Sequence, residues 1–98
     1  MIQGFGCRAT RDLYNGKATA RARNLAPPHV LAASLDMLDL MNACVTIEDL
    51  RSPPSNHLEQ LSGGLSGLHS VRINIRYRII FRWTDSGPDD IRLDDHTY

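Results

Sequence analysis

No apolar run in this sequence approaches the roughly 20 residues that a bilayer-spanning helix needs. The first dozen residues also lack the apolar stretch of an export signal, so the protein is expected in the cytoplasm, without a membrane partner. Cysteine is scarce: only Cys7 and Cys44 are present, and without an export signal both are expected as free thiols. No Cys/His spacing resembles a zinc site, so neither a metal nor another cofactor is expected. The glycine-rich stretch over residues 62–67 lacks the lysine and the Ser/Thr of a phosphate-binding loop and reads as turns. An excess of charge of either sign is missing too. Eleven Lys and Arg balance eleven Asp and Glu, so no global field announces a nucleic-acid partner. With 98 residues there is no room for a second core, and residues 1–98 are expected to form one domain.

What is present has ordinary globular composition, 42% apolar and 22% charged, with no segment poor enough in apolar residues to be disordered. Ile2, Gln3, Gly4 and Phe5 read as a short strand, and residues 10–15, with Leu13 and Tyr14, as part of a first short helix. Residues 17–24 carry Lys17, Arg21 and Arg23 among small side chains and suit a solvated basic connection or a frayed helix. Pro27 and Pro28 suit a helix start. Beyond them Val30, Leu31, Leu35, Leu38 and Met41 recur at spacings of three and four, with Leu40 close by, which predicts a helix packed on a sheet. Residues 46–50 read as a single capped turn, and Pro53 and Pro54 end any helix there.

Residues 70–84 alternate between apolar and polar side chains, with Ile80 the exception. Fifteen residues is long for one strand, and Asn74 marks the turn of a hairpin. A plain two-residue turn would pair Ile73 with Arg78 and break the apolar face, whereas a three-residue loop over 74–76 sets Arg72 opposite Arg78. Residues 85–90 read as a turn, and residues 91–96 alternate again as a closing strand. The expected order is a strand, one or more helices, then a three-stranded antiparallel meander, an α+β fold of one sheet with the N-terminal helices packed on one face.

The chemistry concentrates in the hairpin and at the chain end. Residues 68–83 contain Arg72, Arg76, Arg78 and Arg82 and no acidic residue. Two arginines opposed on one hairpin face repel unless an anion sits between them, and phosphate suits paired guanidinium forks. The bland alternative is that both simply point into water, where screening makes the cost small. The terminal stretch adds Asp94, Asp95, His96 and Tyr98, with His96 on the parity of Arg92. Metal-free RNA cleavage needs a base for the ribose 2'-OH, an acid for the leaving 5' oxygen and cations for the phosphorane, and these residue types supply all three. His96 suits proton transfer by its pKa, and neighbouring carboxylates would hold its tautomer, although a histidine among aspartates is also ordinary surface. His57, with Glu59 after it, is a second acid or base candidate whose bland reading is a solubilising loop residue. His29 and His69 are given no role, and Tyr77, Phe81 and Trp83 are read as core.

The runs TIEDLRSPPSNHLEQL over 46–61, GLHSVRIN over 67–74 and YRIIFRW over 77–83 resemble the HigB, or plasmid-maintenance killer, toxins of the RelE/ParE superfamily. The resemblance extends over nearly the whole chain. It implies a RelE-like fold, metal-independent cleavage of messenger RNA in the ribosomal decoding site, and a HigA-like helix-turn-helix antitoxin as partner. Operator DNA would be met only through that antitoxin. By the same resemblance Arg78, Arg72 and Asp95 match positions of the family's site. The family's Asp-Tyr-His ending is here Asp95, His96, Thr97 and Tyr98, and Ser62 stands where a lysine is common. The candidates are therefore Arg78, His57, Asp95, His96 and Tyr98 for the chemistry, and Arg72, Arg76 and Arg82 for phosphate. Two other readings compete: a ParE-like protein that binds a topoisomerase without acting on RNA, and a degenerate toxin that only binds its antitoxin.

Overall fold

A computed structural model of the chain describes residues 1–95. The element order is α1 (Arg8–Tyr14), α2 (Ala20–Leu25), α3 (Pro28–Ala43), two short 3-10 turns (Ile47–Arg51 and Pro54–Asn56), β1 (Glu59–Gln60), a third 3-10 turn (Gly63–Leu65), β2 (His69–Arg72), β3 (Tyr77–Thr84) and β4 (Gly87–Asp95). The strands form one antiparallel sheet in the order β1-β2-β3-β4. The expected class holds; β1 is added to the expected meander, and the expected opening strand is not one of the four. Two-residue β1 has too few side chains to show alternation, which is why periodicity misses it. Among the described residues no helix is long and apolar enough to cross a membrane.

Helix α3 starts at the predicted proline, yet the face it buries is rotated from the predicted stripe. Val30, Ser34, Leu38 and Met41 face the core, while Leu31 and Leu40 remain exposed. Ser34 escapes an apolar reading, but spacings of four and three put it in line with Val30, Leu38 and Met41. The basic stretch after α1 is a helix rather than a loose connection: the Thr19 hydroxyl accepts from the Ala22 amide at 3.3 Å and Ala22 is buried. Asp12, almost wholly buried on α1, accepts from Arg21 Nε at 2.6 Å and Thr19 Oγ1 at 3.0 Å, locking the two helices together. The Arg21 guanidinium holds the Asp12 carboxyl below the usual carboxylate range, against the opposing effect of burial. The predicted capped turn is present, with Thr46 and Asp49 forming a reciprocal capping box.

The core lies between the helices and one face of the sheet, where Val71, Ile79, Phe81, Ile91 and Leu93 meet Leu13, Val30, Leu38 and Met41. Tyr77, Phe81 and Trp83 belong to that core or pack against it, as their parity predicts. Both cysteines are free.

The last strand differs most from expectation. Rather than turning through residues 85–90, the chain turns at Asp85 and Ser86 and re-enters the sheet at Gly87. Ile80 pairs with Arg92 and Arg82 with Asp89, so β4 has one residue more than β3 at this point, a bulge beside Phe81 with Asp90 at φ 50°. The bulge shifts the alternation by one, which conceals a continuous strand from periodicity. Pro88 is tolerated because β4 is an edge strand. The opening residues are not a paired strand of their own. They run along that edge with one parallel bridge, Phe5 to Ile91, and hydrogen bonds from Gln3 N to Pro88 O and Gly6 N to Ile91 O, both 2.8 Å. Gly87, at φ 131°, meets the backbone of Met1 where a side chain would otherwise project.

Candidate functional site

The hairpin register is the predicted one. Arg72 is the Cα partner of Arg78, Val71 of Ile79 and Ser70 of Ile80, leaving a three-residue tip of Asn74, Ile75 and Arg76. Asn74 shapes it: its Oδ1 accepts from the amides of Arg76 and Tyr77, both at 2.8 Å. Ile73 N donates to Tyr77 O at 2.9 Å and closes the loop.

Because directly opposed residues share a face, the register also sorts the side chains. One row across the sheet reads Arg72, Arg78, Asp94, and the adjacent row reads Glu59, Ser70, Ile80, Arg92. None of these residues joins the hydrophobic cluster under the helices. Ile80, the exception to the alternation, is buried on this second face. It gives the polar surface an apolar floor.

A cleft on this face is lined by His57, Glu59, Ser70, Arg72, Asn74, Ile75, Arg76, Tyr77 and Arg78. His57 therefore reaches the arginine pair from outside the hairpin. It sits just after the Pro54–Asn56 turn in the left-handed region, φ 45°, with its amide bonded to Pro54 O at 3.0 Å. The preceding Asn56 is buried and donates through Nδ2 to the carbonyls of Leu50 and Ser52, both at 3.2 Å. A side-chain amide thus pins the turn that aims His57.

The arginines differ in their partners. Arg78, partly buried, donates from Nε to Asp94 at 3.3 Å. Arg76 makes two bonds to Asp95, at 2.7 and 2.9 Å. It also lies over the Tyr77 ring at 6.0 Å, and the Asp95 carboxylate pushes its pKa upward. Arg82 pairs with Asp90 at 3.4 Å at the far end of β3 and does not line the cleft. Arg72 is exposed and makes no ion pair among the described residues.

Five candidates, Arg72, Arg76, Arg78, Asp95 and His57, thus lie in or against one cleft, and Arg82 lies apart. His96 and Tyr98 are outside the described residues. Asp94, expected only as a neighbouring carboxylate of His96, is here the partner of Arg78, Glu59 lines the cleft with His57, and Ser70 carried no expected role. His69, given no role, stacks on Phe81 with ring centroids 5.9 Å apart, and burial followed by the nearby Arg51 charge lowers its pKa.

Residues 11–96 match the family described as RelE-like toxin of type II toxin-antitoxin system HigB. This chain belongs to the HigB-like toxins. It is 37% identical to Toxin HigB-1 of Vibrio cholerae over 80% of its own length and 82% of that protein's. It is 42% identical to an uncharacterized protein of Haemophilus influenzae over 70% of this chain, spanning 65% of the relative. Among solved structures, a chain of the YoeB-YefM complex from Staphylococcus aureus superposes with a TM-score of 0.61 at 15% identity, covering 100% of this chain and 97% of that one. That likeness concerns the fold. The HigB-like protein is a toxin of a toxin–antitoxin system, a class defined by having an antitoxin as partner.

Proposed function

We propose that this HigB-like toxin is a metal-independent endoribonuclease that cuts messenger RNA on the ribosome and so inhibits translation. The observation that carries the reading is the cross-strand pair Arg72–Arg78 sharing one cleft with His57. Two guanidinium groups opposed on one face are complementary to a phosphodiester, and more so to the additional negative charge gathered in its phosphorane transition state.

In this reading Arg72, which makes no ion pair among the described residues, meets the incoming phosphate directly. Arg78, steadied by Asp94, supports the pentacovalent phosphorus from the other strand. His57 takes the proton of the ribose 2'-OH as that oxygen attacks, and an acid returns a proton to the departing 5' oxygen. His96 and Tyr98, just beyond Asp94 and Asp95 in sequence, are our candidates for that acid. Arg76 and Asp95 brace the hairpin tip and set its position against the RNA. The partner is a HigA-like helix-turn-helix antitoxin, and operator DNA is met only through it.

The test is induced expression without antitoxin, following growth and mapping messenger 5' ends, for wild type, Arg78→Ala, His57→Ala and His96→Ala. Growth arrest with new 5' ends inside translated codons, lost in the variants, is expected. Arrest with intact messages would overturn the ribonuclease reading in favour of a topoisomerase target, and no arrest at all would leave a protein that only binds its antitoxin.

A further inference from the structure

We infer that Ile75 is a nucleoside-contact residue: it packs against the base of the ribonucleotide whose phosphate lies between Arg72 and Arg78. The inference rests on the phosphate reading of that cleft and adds a second, apolar component to recognition. Ile75 is 79% exposed, yet it lines the same cleft as both arginines and His57. Its chain neighbours Asn74 and Arg76 are polar and charged, and its apolar side chain is left largely in water.

The tip is also held in shape. Asn74 Oδ1 caps the two amides that follow Ile75, and Arg76 is clamped by two bonds to Asp95. A β-branched side chain on a fixed loop loses little rotamer freedom on contact, so apolar area covered there converts efficiently into affinity. A polynucleotide offers one kind of apolar surface near its phosphates, the face of an unstacked base, which is accessible in a single strand. The guanidinium pair then takes the backbone while Ile75 takes the base. The contact is tolerant of base identity, because every base presents such a face.

The test uses the full chain at low salt and two fluorescent probes, a short single-stranded RNA and the same sugar–phosphate backbone with abasic sites throughout. Wild type is expected to bind the base-bearing RNA about fivefold more tightly than the abasic one, as burying a modest apolar area would give. Ile75→Ser is expected to lose that preference while binding the abasic probe as wild type does, and Ile75→Val to keep most of it. A preference unchanged in Ile75→Ser, or equal loss on both probes, overturns the inference while Arg72→Ala, weakening both probes, leaves the phosphate reading standing. If Arg72→Ala alters neither probe, or wild type binds neither, the phosphate reading itself falls and takes this inference with it.

Discussion

Arg72 and Arg78 face each other across the β2–β3 hairpin, and among the described residues Arg78 makes an ion pair, to Asp94, while Arg72 makes none. The pair therefore holds a repulsion that an anion would relieve. Such an arrangement trades a little stability for a binding site.

The first prediction follows from that trade. Arg72→Ala should leave unfolding stability unchanged or raise it by up to about 0.5 kcal/mol, the size of an unfavourable exposed cross-strand pair. The same substitution should abolish growth arrest. Arg78→Ala should also abolish arrest but lower stability, since it removes a partly buried stem and its bond to Asp94. Urea titrations of both variants settle the contrast, and a destabilised Arg72→Ala would show that the pair is not strained.

The second concerns His69. Its folded-state pKa lies below the ordinary value of about 6.5, so the fold prefers the neutral ring. A depressed histidine makes its full contribution to stability above the unfolded pKa. That contribution is lost as pH falls below it toward the folded value. The urea midpoint should therefore drop between pH 7.5 and pH 5.5, and the drop should be smaller in His69→Leu. An identical drop in that variant would assign it to other groups.

Asp12 supplies a third, of the same sign but in a more acidic window. Its carboxyl is held down by Arg21, so its stabilisation is present above about pH 4 and disappears as pH falls through the lower folded value. Asp12→Asn should melt several degrees below wild type at pH 7, and the gap should narrow as pH is lowered from about 4 to about 2. A constant gap across that range would mean that the charge is not what matters.

A fourth tests the bulged edge. Gly87→Ala should cost on the order of 1–3 kcal/mol, because the residue sits at φ 131° and its new Cβ would meet the Met1 carbonyl oxygen. Faster hydrogen exchange should accompany it at the Gln3 and Gly6 amides, which bond to β4. Unchanged exchange with unchanged melting would refute it.

How far these features were legible depends on the kind of signal each leaves. The hairpin register was readable in advance, because parity and the apolar face together allow Arg72 one sensible partner. The bulge at Asp90 was not, since one inserted residue resets the alternation and makes strand look like turn. Helix α2 was legible only as one of two readings, because small and basic side chains leave no apolar stripe and Thr19 is its local marker. His57 was nameable from its chemistry, but its place beside the arginines depends on a turn pinned by buried Asn56, a tertiary fact with no local period. The resemblance singled out Asp95, but which arginine each aspartate meets came from the structure, where Asp94 bonds Arg78 and Asp95 bonds Arg76.

The aspartates along β4 have a kinetic consequence as well. Asp90, Asp94 and Asp95 each occupy an arginine of the neighbouring hairpin, and the whole chain carries no net charge. Such a molecule casts almost no long-range field, so it neither accelerates its encounters with polyanions nor lingers on those it meets by chance. In a cell crowded with nucleic acid, brief dwell on the wrong strand keeps more copies at liberty, and productive capture is left to short-range fit.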